Sequence, residues 1–301
     1  MKILLFGRNG QLGWELHRTL FPLGEVHALD SNDLDLTRLD ELRTLIRNIQ
    51  PQIIVNASAY TAVDRAETEP ELAMTVNAKA PAVMAEEARK LNAALIHYST
   101  DYVFDGKKDS AYTEEDPTNP LNVYGQSKLA GEQAVGQVGG AYVILRTSWV
   151  YSLRGDGFVT KILSWARKQE TLKIVSDQIG SPTWARMLAE VSSAMIARSL
   201  PDPQPYFIEK SGVYHLGGAG SVSRFDFARA ILRLDPRAEE QVTKRLEPAL
   251  TADFPTPAQR PLKTPLDCTK FEKIFGAYLP IWDEALRLAM KDSSAPYNDI
   301  S

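Results

Sequence analysis

Lys2-Ile3-Leu4-Leu5-Phe6, followed at once by Gly7-Arg8-Asn9-Gly10-Gln11-Leu12-Gly13, is the stretch that decides the fold. KILLF is a short continuous apolar run, the pattern of a strand buried on both faces. The next residues read GxxGxxG and open a helical pattern over 11–20. Gly7, Gly10 and Gly13 have distinct physical jobs there: a tight turn, close backbone approach to a pyrophosphate, and close packing of helix on sheet. The start of the helix then aims free N–H groups at the phosphates. A plain tight turn has the same letters. The placement at the first strand–helix junction is what makes this a dinucleotide loop.

Asp30 closes the next apolar run. A carboxylate there accepts from the adenosine ribose hydroxyls and favours NAD, although an Asp in this place also caps loops. Arg8 points the other way, because a guanidinium pairs with the 2'-phosphate of NADP. The preference between NADPH and NADH is left open by these two residues.

Working outward, further apolar runs at 25–29, 52–56, 93–98 and 141–146 alternate with helical patterns at 39–49, 71–91 and 122–135. Continuous apolar strands separated by helices imply a parallel sheet covered on both faces, and right-handed crossovers make it doubly wound. The fold class is therefore α/β, with an NAD(P)-binding Rossmann domain over 1–150. Prolines and glycines multiply after that, around short helical patterns at 183–199, 224–234 and 282–290. Residues 151–301 read as a smaller substrate-binding lobe, with some segments returning to the Rossmann domain. There is no internal repeat, and the polar tail after Met290 is expected to fray.

Composition removes several function classes. The chain has 301 residues, 44% hydrophobic and 24% charged, enough for a sizeable core without staples. One cysteine, Cys268, excludes an internal disulfide and a cysteine-based metal site. The histidines, at 17, 27, 97 and 215, have no ligand spacing. A net charge of −4 without a basic run argues against nucleic acid. The apolar run at 3–6 is shorter than the roughly seven residues of a signal-peptide core, and no stretch approaches the ~18 apolar residues of a membrane span. The expected location is cytoplasmic.

Tyr124-Gly125-Gln126-Ser127-Lys128 is a YxxxK pattern on a helix. Four residues advance a helix by about 6 Å and slightly more than one turn, so both side chains share a face. Free tyrosine has a pKa near 10, and an adjacent ammonium favours tyrosinate. A surface Tyr and Lys one turn apart would look the same, so the case rests on co-occurrence. Thr100 follows the fourth strand, at the carboxyl edge where open α/β sheets bind ligands. There it can hydrogen-bond both a substrate carbonyl and Tyr124. Nucleotide loop, strand-end hydroxyl and Tyr–Lys helix together make a ketoreductase constellation.

With those residues in place, the chain resembles the dTDP-4-dehydrorhamnose reductases. NASAYTAVD (56–64), STDYVFDG (99–106), YGQSKLAGE (124–132), RTSWVY (146–151), DQIGSPT (177–183) and Arg260-Pro261 carry the resemblance, which extends over nearly the whole chain. It implies NAD(P)H-dependent reduction of the 4-keto group of dTDP-4-dehydro-L-rhamnose to dTDP-L-rhamnose, in the biosynthesis of cell-surface polysaccharide. Tyr124 would be the proton donor, Lys128 its tuner and Thr100 its hydrogen-bond partner. By position, Gly10, Gln11, Leu12, Asp30, Asp35, Leu36, Ala59, Tyr60, Thr61 and Tyr98 would line the cofactor. Thr100, Asp101, Trp149 and Arg260 would contact the sugar nucleotide, although a Trp149 directly after a strand also reads as a core aromatic.

One departure concerns metal. Members of this family can carry three acids that bind magnesium between subunits, and the matching positions here are Glu15, Arg186 and Asp292. A guanidinium has no lone pair to offer. No magnesium is expected, Arg186 pairing with Glu15 is the expected substitute, and a homodimer is left open. A 4,6-dehydratase would need a second acid after Asp101, where Tyr102 stands. Another nucleotide-sugar ketoreductase, an epimerase and a non-catalytic reductase-like regulatory subunit are the alternatives, the last disfavoured because Tyr124, Lys128 and Thr100 are all present.

Overall fold

The computed structural model describes residues 1–292, and the tail expected to fray, from 293 onward, lies outside the described residues. β1 (Lys2–Phe6), α1 (Gln11–Leu20), β2 (Glu25–Leu29), α2 (Leu39–Ile49) and β3 (Ile53–Asn56) follow one another. β1 pairs in parallel with β2 on one side and with β3 on the other. The chain thus changes its direction of travel across the sheet between β2 and β3. That switch opens a crevice at the carboxyl ends of β1 and β3, where α/β sheets of this kind bind ligands.

The long helix expected over 71–91 is interrupted. α3 (Val63–Ala66) and α4 (Pro70–Met74) precede a π-helical turn, Thr75–Lys79, and α5 (Ala80–Lys90) continues from it. The widened turn carries the buried Asn77, whose side chain accepts from the Tyr60 amide at 2.8 Å and donates to the Tyr60 carbonyl at 3.1 Å. Side-chain bonds of that kind compete with the regular ladder and account for the irregularity.

β4 (Ala94–Thr100) is buried along its whole length and runs two residues past the expected 93–98 run, which brings Thr100 into the strand. α6 (Val123–Val138) and β5 (Tyr142–Thr147) complete the first half. In the second half come β6 (Val150–Tyr151), α7 (Phe158–Ala166), β7 (Thr171–Val175), β8 (Ile179–Gly180), β9 (Thr183–Trp184), α8 (Ala185–Ala197), α9 (Pro203–Glu209) and β10 (Gly212–His215). β11 (Val222–Ser223), α10 (Arg224–Arg233), β12 (Arg245–Ala249), α11 (Thr269–Phe275) and α12 (Trp282–Asp292) follow.

The main sheet has the order β10-β5-β4-β3-β1-β2 and is parallel throughout. β10 comes from the second half and pairs with β5. One face of the sheet is covered by α2 and α5, with Leu42, Ile46 and Met84 against Leu4 and Ile54. The other is covered partly by second-half helices, with Leu188 and Met195 of α8 and Phe271 of α11 against Leu5, Val55 and Ile96. Both faces of the central strands β1, β3 and β4 are therefore dry, as their continuous apolar sequences require. Each fully buried Leu or Ile contributes about 1.5–3 kcal/mol.

A second cluster, built from Val159, Ile162, Leu172, Phe227, Ile231 and Leu286, fills the lobe around α7, α10 and α12. Its strands pair only in twos: β6 with β9, β7 with β12, β8 with β11. Among the described residues no helix is long and apolar enough to cross a membrane.

Candidate active site

The site begins at the switch point. Gly7 has φ +88°, and a Cβ there would stand 2.9 Å from the main chain of Ala57 at the end of β3. A Cβ on Gly13 would overlap the carbonyl oxygen of Gly7. Only glycine closes this turn so tightly. Gly10 caps α1 without any side-chain bond, and the first turn holds no acid, so its leading N–H groups are free. Beside them, the buried Oε1 of Gln11 has no hydrogen-bond partner. A cradle of free backbone donors at the start of a helix fits a dinucleotide pyrophosphate.

From this cradle a cavity of about 930 Å³ runs along the carboxyl edge of the sheet to the second lobe. Gly7, Gly10, Gln11 and Leu12 line one end, while Gly13 packs beneath them. Asp30, Asp35 and Leu36 form the adjoining corner. There the Asp30 carboxylate accepts from the Asn32 amide at 2.7 Å, from Arg8 Nε at 3.1 Å, and from the Asn9 side chain. The Asn32 amide, and after it the Arg8 charge, hold the Asp30 carboxyl below its ordinary range. Arg8 also reaches Asp33, at 3.2 Å. The two residues that argued for opposite cofactors are thus partners in one ion pair.

Ala59 and Thr61 line the cavity wall after β3. Tyr60, expected beside them, does not. Its backbone is clipped to Asn77, and its phenol turns out to Glu69.

The Tyr–Lys pair sits on α6. Asn122 caps this helix, with Oδ1 accepting from Gly125 N at 2.8 Å, and its Nδ2 donates to the Gln259 carbonyl at 2.7 Å. Cβ atoms on Gly125 and Gly131 would overlap the carbonyls of Tyr102 and Asn77, so α6 is pressed against the active-site loop through glycines. Ser127 Oγ, which accepts from Asn77, donates to the Tyr124 carbonyl at 2.8 Å. Tyr124 lines the cavity with its ring edge-on to Tyr102, centroids 5.6 Å apart.

Burial pushes the Tyr124 phenol above its ordinary value, and the facing Thr100 hydroxyl pulls part of the way back. Lys128 is buried, and its ammonium donates to the Tyr98 carbonyl at 2.6 Å. Burial brings Lys128 down to about 8, while Glu132 one turn on opposes this. Burial of the phenol thus opposes the tuning expected of Lys128. Tyr98 lines the cavity, and its own hydroxyl is tied to Ser192 at 2.7 Å.

Thr100, Asp101 and Trp149 meet at the far end of the cavity. Asp101 is held by hydroxyls, accepting from Thr264 at 2.6 Å, Ser148 at 3.0 Å and Thr100 at 3.2 Å. Burial raises its carboxyl. Trp149 has a left-handed backbone, φ +46°, which is rare for a bulky residue and marks a site held by its surroundings. Arg224 lies 3.7 Å from the centre of the Trp149 ring and opens on the same cavity without a carboxylate partner among the described residues.

Arg260 is not part of the cavity wall. Its Nη1 and Nη2 grip Asp64 at 2.9 and 2.8 Å, tying the segment after β12 to α3. Sequence reasoning missed Arg224 and Arg154, both on the cavity, and the hydroxyls of Ser148 and Thr264 behind Asp101.

The expected magnesium residues do not fit a cation. Glu15 accepts from Arg18 at 2.7 Å, and Arg186 Nε lies 3.4 Å from Glu190. Asp292 ends α12, and its side chain falls outside what the structure describes. A guanidinium at the centre of such a set adds positive charge and no ligand.

Comparison with known proteins agrees with this geometry. Residues 1–295 match the family model described as RmlD substrate binding domain. The dTDP-4-dehydrorhamnose reductase of Burkholderia thailandensis is 42% identical over 97% of this chain and 99% of its own. The solved dTDP-4-dehydrorhamnose reductase of Clostridium acetobutylicum superposes with a TM-score of 0.88 at 34% identity, covering 97% of this chain and 99% of that one. A second, from Bacillus anthracis and in complex with NADP, has a TM-score of 0.87 at 32% identity, with the same coverage.

Proposed function

This chain belongs to the dTDP-4-dehydrorhamnose reductase family, and from that premise we propose that it reduces the 4-keto group of dTDP-4-dehydro-L-rhamnose, with Tyr124 giving the proton. The observation that carries this reading is the single cavity joining the Gly7–Leu12 cradle to Thr100, Tyr124 and Trp149. Reductase chemistry needs dinucleotide and ketone in one space, and this is the space.

A bound NADPH or NADH supplies the hydride to the carbonyl carbon. The protein's residues supply the rest. Free backbone N–H groups at the start of α1 hold the pyrophosphate. The Arg8–Asp30 pair meets the adenosine ribose, with the guanidinium available to a 2'-phosphate and the carboxylate to ribose hydroxyls. Lys128, anchored on the Tyr98 carbonyl, keeps donors for the nicotinamide ribose. Tyr124 hydrogen-bonds the ketone oxygen, and Thr100 joins it when its hydroxyl proton turns from Asp101. As that oxygen gains charge, Tyr124 transfers its phenolic proton to it, leaving tyrosinate to be reprotonated. Burial keeps the phenol protonated at neutral pH, the state a proton donor must be in.

At the other end, Trp149 packs on the sugar, and Arg224 pairs with the diphosphate of the nucleotide. Asp101 holds Thr100 and orients sugar hydroxyls.

The test is oxidation of NADPH and of NADH in the presence of enzymatically generated dTDP-4-dehydrorhamnose, by wild type and Tyr124→Phe. Turnover by the wild type, lost in a variant that still binds cofactor, supports both substrate and role. No turnover by folded, cofactor-bound wild type would sink the rhamnose assignment, and the next substrates to try would be other 4-keto nucleotide sugars, with epimerisation assayed alongside.

A further inference from the structure

We propose that Arg154, carried by the second lobe, is a ligand of the pyrophosphate of the bound dinucleotide. The inference rests on the reading that the cavity takes a nicotinamide dinucleotide along the Gly7–Leu12 cradle. Arg154 lies on the link between β6 and α7. Ser152 folds that link, its Oγ accepting from the Arg154 amide at 3.1 Å and donating to the Arg154 carbonyl at 2.9 Å. The link then crosses to the dinucleotide loop, close enough that a Cβ on Gly157 would stand 3.2 Å from Gln11 Oε1.

Arg154 is exposed, and its guanidinium lies over Trp14, 3.6 Å from the ring centre, on the first turn of α1. It lines the same cavity as Gly10 and Gln11. Among the described residues it has no hydrogen-bond or ion-pair partner. The nearby Asp156 is turned to Lys161, at 3.3 Å, and does not neutralise it. Stacking fixes the plane of a guanidinium and leaves its N–H edge free, the arrangement that suits a phosphate. Beside it stands the positive end of α1, equally without an anion.

The ligand that satisfies both is a phosphate bridging the gap between them. The other arginine on this cavity, Arg224, is at the opposite end against Trp149. Two unpaired arginines at two ends match the two diphosphates of a dinucleotide and a nucleotide sugar.

Calorimetric titration with NADPH, NADH and thymidine diphosphate tests this in wild type, Arg154→Ala and Arg154→Lys. The expected result is a weakening of both cofactors alike in Arg154→Ala, by about tenfold or more for a lost charge-assisted bond. Arg154→Lys recovers part of it, and thymidine diphosphate binds all three proteins equally. Unchanged cofactor affinity in Arg154→Ala overturns the inference. So does a loss confined to NADPH, which would place the arginine at the 2'-phosphate, or a loss confined to thymidine diphosphate. A wild type that binds neither cofactor overturns the underlying reading as well.

Discussion

The Lys128 ammonium donates to the carbonyl oxygen of Tyr98 at 2.6 Å, so the charge of the Tyr–Lys helix is anchored on β4 rather than on the phenol it accompanies. Burial brings that ammonium from its ordinary 10.5 to about 8. Below that value it is charged and holds its donors, and above it the charge is lost. Reduction is therefore expected to fall as pH rises through about 8. Lys128→Met should lose that limb and run at about a hundredth of the rate or less. Stability moves the other way. The folded value lies below the unfolded one, so the unfolded chain binds more protons between them, and the wild type gains stability as pH rises through that window. Denaturation curves of wild type and Lys128→Met across those pH values should converge upward; a constant difference between them would count against a buried, depressed lysine.

The Tyr124 phenol makes a separate prediction. Burial raises it, so no loss of activity below pH 9 should trace to its ionisation. Tyr124→Phe keeps the ring contact with Tyr102 and removes only the proton. Turnover is expected to drop by about a hundredfold to ten-thousandfold with cofactor affinity unchanged. Cofactor binding lost along with turnover would mean that the hydroxyl holds the dinucleotide and is not specifically the acid.

Much of this was legible in the sequence, because its signals are local. KILLF and the glycines fix the first strand, turn and helix, and YxxxK needs only helical spacing. What escaped depends on distant residues. β10 was not read as a strand, because GVYH becomes one only through its pairing with β5. Asn77 breaks a helical pattern to reach Tyr60, which no periodicity reveals. Arg224 and Arg154 look like ordinary charged residues until the second lobe folds over the cavity. Arg260 was read as a substrate contact, and its bidentate grip on Asp64, far earlier in the chain, is a pairing that no local pattern reveals.

Arg8 should decide between the cofactors. Its pairing with Asp30 and Asp33 leaves a partly exposed guanidinium at the ribose corner. Arg8→Ala is expected to weaken NADPH by about tenfold, the scale of one charge-assisted contact. NADH, which has no 2'-phosphate, should hardly change, and it gains if the freed Asp30 meets its ribose hydroxyls better. Dissociation constants for both cofactors settle the point, and an equal loss of the two would refute this role.

Metal removal should do nothing. Arg186 stands where a ligand would be needed and lies 3.4 Å from Glu190, while Glu15 already accepts from Arg18. Dialysis against EDTA is expected to leave both the rate and the sedimentation behaviour unchanged. A metal-dependent change in either, restored by magnesium, would show that the acids gather a cation despite the guanidinium.

Gly180 sets the space for Trp149. A Cβ there would overlap the indole, which stands on a left-handed backbone with the Arg224 guanidinium 3.7 Å from its ring. Gly180→Ala must therefore displace the ring, and overpacking of this kind costs about 1–3 kcal/mol of stability. The displaced indole no longer meets the sugar, and Arg224 loses the surface that fixes it. KM for the nucleotide sugar should rise by about tenfold or more, while the cofactor, whose cradle lies at the other end of the cavity, binds as before. The glycine of DQIGSPT is then a specificity device acting through Trp149. A variant with the same loss of stability but an unaltered KM would show instead that the ring's position matters only for packing.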